Sequence, residues 1–394
     1  MTEPALPRGH HGGVPPWRDV RVLRVVAQVV ALGLIGLLVA WLGTNLLSNM
    51  RSSGLSFGFR FLDATAGFEI PDKIIPYNAT DTYGQAFLVG LLNTLQVSVI
   101  GIFFATILGV VVGVARLSSN WLLSRLAAGY VELMRNTPLL VQLVLIYAIL
   151  RQLPPVAQSL SLPGSIFLNQ RGLYLPRPEV QPGFGLWLAS LAVAVAVAVA
   201  FHLAARRPTL DERSAQQLRW AGYATLIGLP VVAWIVLGSP LAFEAPVQGA
   251  FNFSGGLPVS RELTALTFGL VVYTAAFIGE VVRGGIQAVR RGQVEAALAL
   301  GLTGRQTLRL VVFPQALRVI VPPLTSQYLN LAKNSSLAIA VGFADMFAVS
   351  RTMANQTGQP VSVIVLVMAA YLAISLVTSL LMNIYNRRVQ VVER

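Results

Sequence analysis

Residues 290–314 read RRGQVEAALALGLTGRQTLRLVVFP, a basic passage set between two very apolar runs. Arg290, Arg291, Arg305 and Arg309 keep it out of a bilayer, where each buried charge is costly. The preceding helix is expected to end at Arg290-Arg291-Gly292, with cations near its negative C-terminus. A new helix then begins near Gln293, with Glu295 in its first turn, where a carboxylate complements the dipole. Ala296, Ala297, Leu298 and Leu300 are strong helix formers, and Gly301 ends the helix by accepting left-handed backbone. Thr303 predicts an N-cap for a second helix over Gly304–Val312, and Pro314 predicts a break or kink before the next apolar run. The product is a helix–turn–helix elbow along a membrane face. Its small residues suit close packing into a groove, and it holds no catalytic group.

Outward from this elbow, the chain reads as membrane. Of its 394 residues, 55% are hydrophobic and only 11% charged, less than half the charge of an ordinary soluble domain. A spanning helix needs about 20 mostly apolar residues. Such runs occur at Val22–Gly43, Leu91–Ala115, Ala128–Leu150, Leu186–Ala205, Ala221–Gly238, Leu263–Val282, Val319–Val341 and Val361–Ile384. The expected fold is an all-α, polytopic integral membrane protein of about eight transmembrane helices. The charge of +13 raises a nucleic-acid reading, but with the N-terminus inside most Lys and Arg residues fall on the inner side. That is the positive-inside bias, so the excess charge is topological and no nucleic-acid partner follows from it. The chain has no cysteine, which removes disulfides and thiolate metal sites, and no other metal-ligand spacing stands out.

The first span lies behind Arg18, Arg21 and Arg24 and lacks an A-x-A-like exit, so it reads as a retained anchor. Residues 1–16, rich in Pro and Gly, read as a disordered cytoplasmic tail. The outer segments Thr44–Tyr83, Arg151–Gly185 and Ser239–Glu262 carry Gly, Pro, Asn and Ser and read as turns and irregular loops. They are either inert connectors or a collar for a partner. Two Glu–Arg pairs, Glu132/Arg135 and Glu280/Arg283, sit near inner span ends, three apart and on one helix face. Each is either a local pair that lowers the cost of charge near the interface or a brace of an inner gate. In the seventh span, Asn330, Lys333 and Asn334 form a polar cluster. Such clusters mark a substrate pathway or a buried structural bond, and a Lys there could attract a carboxylate. Asn93 and Thr94 are weaker pathway candidates. Thr137-Pro138 is expected to shape the third span by removing a backbone donor.

The spacing Glu295-Ala296-Ala297, three residues, Gly301, nine residues, Val311-x-Phe313-Pro314 resembles the EAA loop of ABC importer permeases. Gly90-Leu91-Leu92-Asn93-Thr94-Leu95, the run Glu132–Gln142 (ELMRNTPLLVQ) and Glu280-x-x-Arg283-Gly284-Gly285-Ile286 resemble the polar amino acid (histidine/glutamine type) permeases of that family. The resemblance implies a five-helix type I importer core plus an extra N-terminal span and an inserted two-span hairpin, an enlarged form similar to the general L-amino acid permease subunits. The implied division is 1–16 tail, 17–84 added span and periplasmic loop, 85–150 first part of the core, 151–262 insert, and 263–394 second part of the core with its coupling loop at 288–318. An insert of two spans leaves every later span in its original direction. The resemblance further implies that Glu295, Ala296, Ala297, Gly301 and Pro314 couple to an ATP-binding cassette ATPase dimer, which holds the ATP and Mg. A homologous permease subunit, a periplasmic amino-acid-binding protein and a place in the bacterial inner membrane, with both termini cytoplasmic, complete the expectation.

A P-loop ends Gly-Lys-[Ser/Thr], and the only lysines here are Lys73 after Asp72 and Lys333 after Ala332. The chain is therefore read as a transport subunit with no enzyme activity and no bound cofactor of its own. The alternative is an ion-coupled secondary amino acid transporter, which would show inverted repeats and carboxylates near the bilayer midplane.

Overall fold

A computed structural model describes residues 20–52, 57–207, 210–249 and 251–389; the tail expected over residues 1–16 lies outside them. The helices are α1 (Val20–Ser52), α2 (Tyr83–Ala115), α3 (Trp121–Asn136), α4 (Leu139–Arg151), α5 (Phe184–Ala204), α6 (Glu212–Val236), α7 (Arg261–Gln287), α8 (Arg291–Ala299), α9 (Gly304–Thr307), α10 (Phe313–Asn334), α11 (Met346–Thr357) and α12 (Pro360–Val389). Among the described residues, 7 helices are long and apolar enough to cross a membrane, or 8 if the bent pair α3–α4 counts as one.

Helix α7 is the centre of the bundle. Its fully buried Leu266, Leu270, Ala275 and Ile278 pack with Val97 and Ala105 of α2, Leu143 of α4, and Ala316, Ile320 and Leu331 of α10. In lipid, where apolar burial drives little, close approach of backbones holds helices together. Gly109 and Gly113, one turn apart on α2, supply it: a Cβ added at Gly113 would stand 2.7 Å from the Gly279 carbonyl oxygen.

The third span departs from expectation. Instead of one helix over Ala128–Leu150, α3 and α4 meet at 106°. Pro138 has no N–H to donate and forces Thr137 out of helical geometry, to φ −104 and ψ 136. Gln142 then holds the bend. Its Nε2 donates to the carbonyl oxygens of Met134 at 3.0 Å and Thr137 at 3.1 Å, and to Thr137 Oγ1 at 2.8 Å. The carbonyls freed by the break thus gain a donor, as low-dielectric surroundings demand.

The outer segments also differ from the irregular loops expected. Strands β1 (Leu160–Leu162), β2 (Ile166–Asn169), β3 (Gly172–Leu175), β4 (Arg177–Val180), β5 (Leu241–Glu244), β6 (Val247–Gln248), β7 (Phe253–Ser254) and β8 (Leu257–Ser260) lie there. A four-stranded sheet runs β1-β2-β3-β8, while β4 pairs with β5 and β6 with β7. The strands are too short for a period-2 pattern to show, and β3–β8 joins segments on opposite sides of the α5–α6 hairpin. The β4–β5 ladder closes at Val180 opposite Leu241, at the foot of that hairpin. Helices α5 and α6 pack chiefly on each other, with Trp187 and Trp234 edge-to-face at 5.3 Å and Trp187 Nε1 donating to the Pro230 carbonyl at 3.2 Å.

Candidate functional site

The elbow forms much as its residues dictate, with three corrections. Helix α7 stops at Gln287 and α8 starts at Arg291 with Arg290 as N-cap, so the arginine pair opens the second helix rather than closing the first. Glu295 consequently lies in the second turn of α8, not its first. Pro314 does not break the chain: residues Leu308–Val312 form a π-turn, closed by the Phe313 N–H to the Leu308 carbonyl, and α10 follows with Pro314 in its first turn. The wide turn accommodates the ring and missing donor of the proline without interrupting the helix. The helix expected over Gly304–Val312 is therefore the start of one 37-residue rod, Gly304–Ala340.

Gly301 has φ +81, and it closes α8 in a Schellman arrangement. The Leu302 N–H donates to Ala297 O at 3.2 Å and the Gly301 N–H to Leu298 O at 2.9 Å. Thr303 then caps α9 in a capping box with Gln306. Ala297 is buried against the following turn, whereas Glu295 and Ala296 face outward. Leu300 is 83% exposed, a large apolar side chain at the tip of the elbow that the sequence pattern alone did not single out. Gln315 Nε2, 3.5 Å from Gln293 Oε1, ties α8 to the base of α10.

Deeper along α7 lies a charged cluster. The expected local pairs Glu132/Arg135 and Glu280/Arg283 are only half realised. Glu280 binds Arg283 and also Arg116 of the α2 C-cap, while Arg135 turns toward Glu280 at 4.0 Å. Glu132 lines the same cleft with no ion pair within 4.0 Å among the described residues. Geometry explains the change: α3 lies against α7 through Tyr130, whose hydroxyl donates to the Val272 carbonyl at 2.5 Å. That brings Arg135 over the Phe277 ring at 5.4 Å and within reach of the α7 carboxylate.

The pathway candidates divide three ways. Asn330 and Asn334 share a polar cleft of about 280 Å³ between α10 and α7 with Tyr273, Thr274, Phe277 and Gln327. Phe277 also lines the cleft of the Glu280 cluster and stands between the two. Lys333 points elsewhere, into an apolar cavity of about 600 Å³ between α10, α11 and α12 that it shares with Arg351 and Tyr371. Asn93 and Thr94 line neither of these spaces. Both are fully buried: Asn93 Nδ2 donates to the carbonyls of Asp72 at 2.7 Å and Ala344 at 2.9 Å, and Thr94 Oγ1 accepts from the Met346 N–H at 3.0 Å. They pin the outer loop and the start of α11, as buried polar groups must be satisfied.

Comparison with known proteins bears directly on this arrangement. Residues 221–391 match the family described as "Binding-protein-dependent transport system inner membrane component". The chain is 48% identical over 377 residues to the "Putative amino-acid ABC transporter permease protein YhdX" of Escherichia coli (strain K12), covering 95% of this chain and 94% of that protein. This chain belongs to the ABC transporter permease family. The permease is also 43% identical over 377 residues to the general L-amino acid transport system permease protein AapQ of Rhizobium johnstonii, at 95% and 94% coverage. It is 39% identical over 408 residues to the glutamate/glutamine/aspartate/asparagine transport system permease protein BztB of Rhodobacter capsulatus, at 95% and 96%. The match along nearly the whole chain includes the added span and the hairpin, and it overturns the ion-coupled alternative. The permease is a multi-pass inner-membrane component of an ABC importer.

Proposed function

We propose that this permease carries polar L-amino acids across a bacterial inner membrane as the translocating subunit of a complex. A separate ATP-binding cassette dimer supplies ATP, Mg and hydrolysis; this chain performs no catalysis. A homologous permease or a second copy completes the pore, a periplasmic amino-acid-binding protein delivers substrate, and both termini face the cytoplasm. The names of the relatives point to amino acids as cargo, and the lysine inventory leaves the ATP site to a partner. In this reading Glu295, Ala296 and Leu300 face the ATPase, Gly301 sets the angle, and the π-turn before Pro314 joins the elbow to α10.

The observation that carries the proposal is the polar cleft between α7 and α10. A zwitterion needs acceptors for its ammonium and donors for its carboxylate, and the amides of Gln327, Asn330 and Asn334 supply both. The Glu280 cluster, one turn further along α7 beyond Phe277, acts as a gate, with Glu132 and Arg135 on α3 as its other jaw. Uptake of labelled glutamine by the complex in liposomes loaded with ATP tests this. The double substitution Asn330→Leu/Asn334→Leu is expected to lower uptake at least tenfold while ATPase co-purification persists, and Lys333→Ala is expected to transport normally. If Lys333→Ala stops uptake and the asparagine pair does not, the pathway lies between α10 and α12 instead. Uptake that needs no ATP would remove the proposal altogether.

A further inference from the structure

The α5–α6 hairpin bears a groove of about 410 Å³ that the transport reading does not use. Its walls change character along its length. Toward the middle of the hairpin it is lined by Val195, Val199 and Leu226; at the end where the two helices join it is lined by His202, Arg206 and Arg219. Among the described residues, no carboxylate lines it. Arg206 Nη2 lies 3.4 Å from His202 Nε2, so the imidazole accepts from one arginine donor, and among the described residues neither Arg206 nor Arg219 has an acidic partner within 4.0 Å. Gly222 lets α6 approach α5 beside the groove, since a Cβ there would stand 3.3 Å from Phe201 Cβ.

Aromatic side chains fix the height of this end in a bilayer. Trp220 and Tyr223 stack edge-to-face at 6.0 Å, both more than half exposed, two to three turns into α6. Trp187 and Trp234 mark the opposite end. Such belts sit at the two headgroup levels, and the stretch of α6 from Trp220 to Trp234 rises about 21 Å, within the hydrocarbon thickness of about 30 Å. The basic end of the groove therefore stands at headgroup depth and its apolar stretch at acyl-chain depth.

We infer that the α5–α6 groove holds an anionic phospholipid, its phosphate between Arg206 and Arg219 and one acyl chain along Val195, Val199 and Leu226. Charge complementarity selects the occupant: basic pockets between membrane helices on the cytoplasmic side take anionic headgroups, whereas a partner helix would bring its own backbone and need an acidic side chain at this height. The leaflet rests on the orientation proposed above; the site itself does not.

The full-length protein, purified in detergent, is titrated with phosphatidylglycerol, phosphatidylcholine or glycerol phosphate, and lipid retention is read by native mass spectrometry alongside thermal stability. Wild type is expected to retain one phosphatidylglycerol in preference to phosphatidylcholine and to ignore glycerol phosphate. Arg206→Gln/Arg219→Gln is expected to weaken retention roughly thirtyfold, the loss of two headgroup cations. The charge-matched control Arg207→Gln/Arg213→Gln, outside the groove, keeps it. Equal retention of phosphatidylcholine, an unchanged response of the Arg206/Arg219 variant, or a response to glycerol phosphate alone overturns the inference. So does displacement of the lipid by a second permease subunit in the assembled complex. Transport is not read in this experiment, so its outcome stands apart from that of the amino-acid assignment.

Discussion

At the scale of single residues, the constraint at Gly301 is one of handedness rather than space. Nothing lies within 4 Å of a Cβ built there, yet its φ is +81. An L side chain in left-handed backbone costs about 1–2 kcal/mol, and Asn tolerates it better than Ala. Co-purification of the ATPase subunit should therefore fall in the order Gly, Asn, Ala at position 301, with membrane insertion unchanged; Ala matching or exceeding Asn would show that handedness is not what matters. Gly113 is limited by space instead. Gly113→Leu should push α2 from α7 and lower the melting temperature in detergent, by the equivalent of about 1–3 kcal/mol. Gly129→Leu, with open space around it, should not. The left-handed role of Gly301 was legible in the sequence because a helix stop is local. The role of Gly109 and Gly113 was not drawn out, although their spacing of four is the signal for close helix approach. Arg116 was invisible as a third partner of Glu280, because only the crossing of α2 and α7 brings it there.

Elements were legible where propensity and length decide them. Seven of the eight apolar runs became one spanning helix each, because about 20 apolar residues in lipid have no other way to satisfy their backbones. The bend between α3 and α4 was anticipated in position but not in size. Pro138 removes one donor, but the 106° angle depends on Gln142 binding carbonyls up to eight residues back. The strands escaped notice because each is only two to four residues long, and the β3–β8 and β4–β5 ladders pair segments far apart in sequence. One consequence of that outer assembly can be measured. Ser260 caps α7, accepting from the Leu263 N–H at 3.1 Å, and donates to Asp72 Oδ2 at 2.9 Å. Burial raises the Asp72 carboxyl above its ordinary value, against a smaller lowering by Ser260. A carboxyl raised by folding binds its proton more tightly in the native state, so stability is greatest while it is protonated and declines as pH rises through and just above the usual carboxylate range. Melting temperatures across the acid range should show this decline in wild type and lose it in Asp72→Asn, which keeps an acceptor for Ser260. A slope that survives the substitution would assign the effect to another group.

For the molecule as a whole, the hairpin is attached in a way that makes it separable. Val180 and Leu241 face each other at the end of the β4–β5 ladder, close enough for a two-residue turn to join them. Replacing residues 181–240 by Asn-Gly removes two spans, so every later helix keeps its direction. The shortened chain should insert, bind the ATPase and transport, while losing retained anionic lipid; failure to insert would place the hairpin within the folding core. The two-span rule was readable from the sequence, but the ladder that permits the exchange was not.

The rod Gly304–Ala340 has a further consequence. Its 37 residues rise about 55 Å at 1.5 Å each, against a hydrocarbon core of about 30 Å. Tilt, or helix beyond the hydrocarbon core, takes up the excess of roughly 25 Å, with the elbow at one end of the rod and Asn330 and Asn334 near the other. Because no loop interrupts the rod, a displacement of the elbow reaches the two asparagines through helix alone.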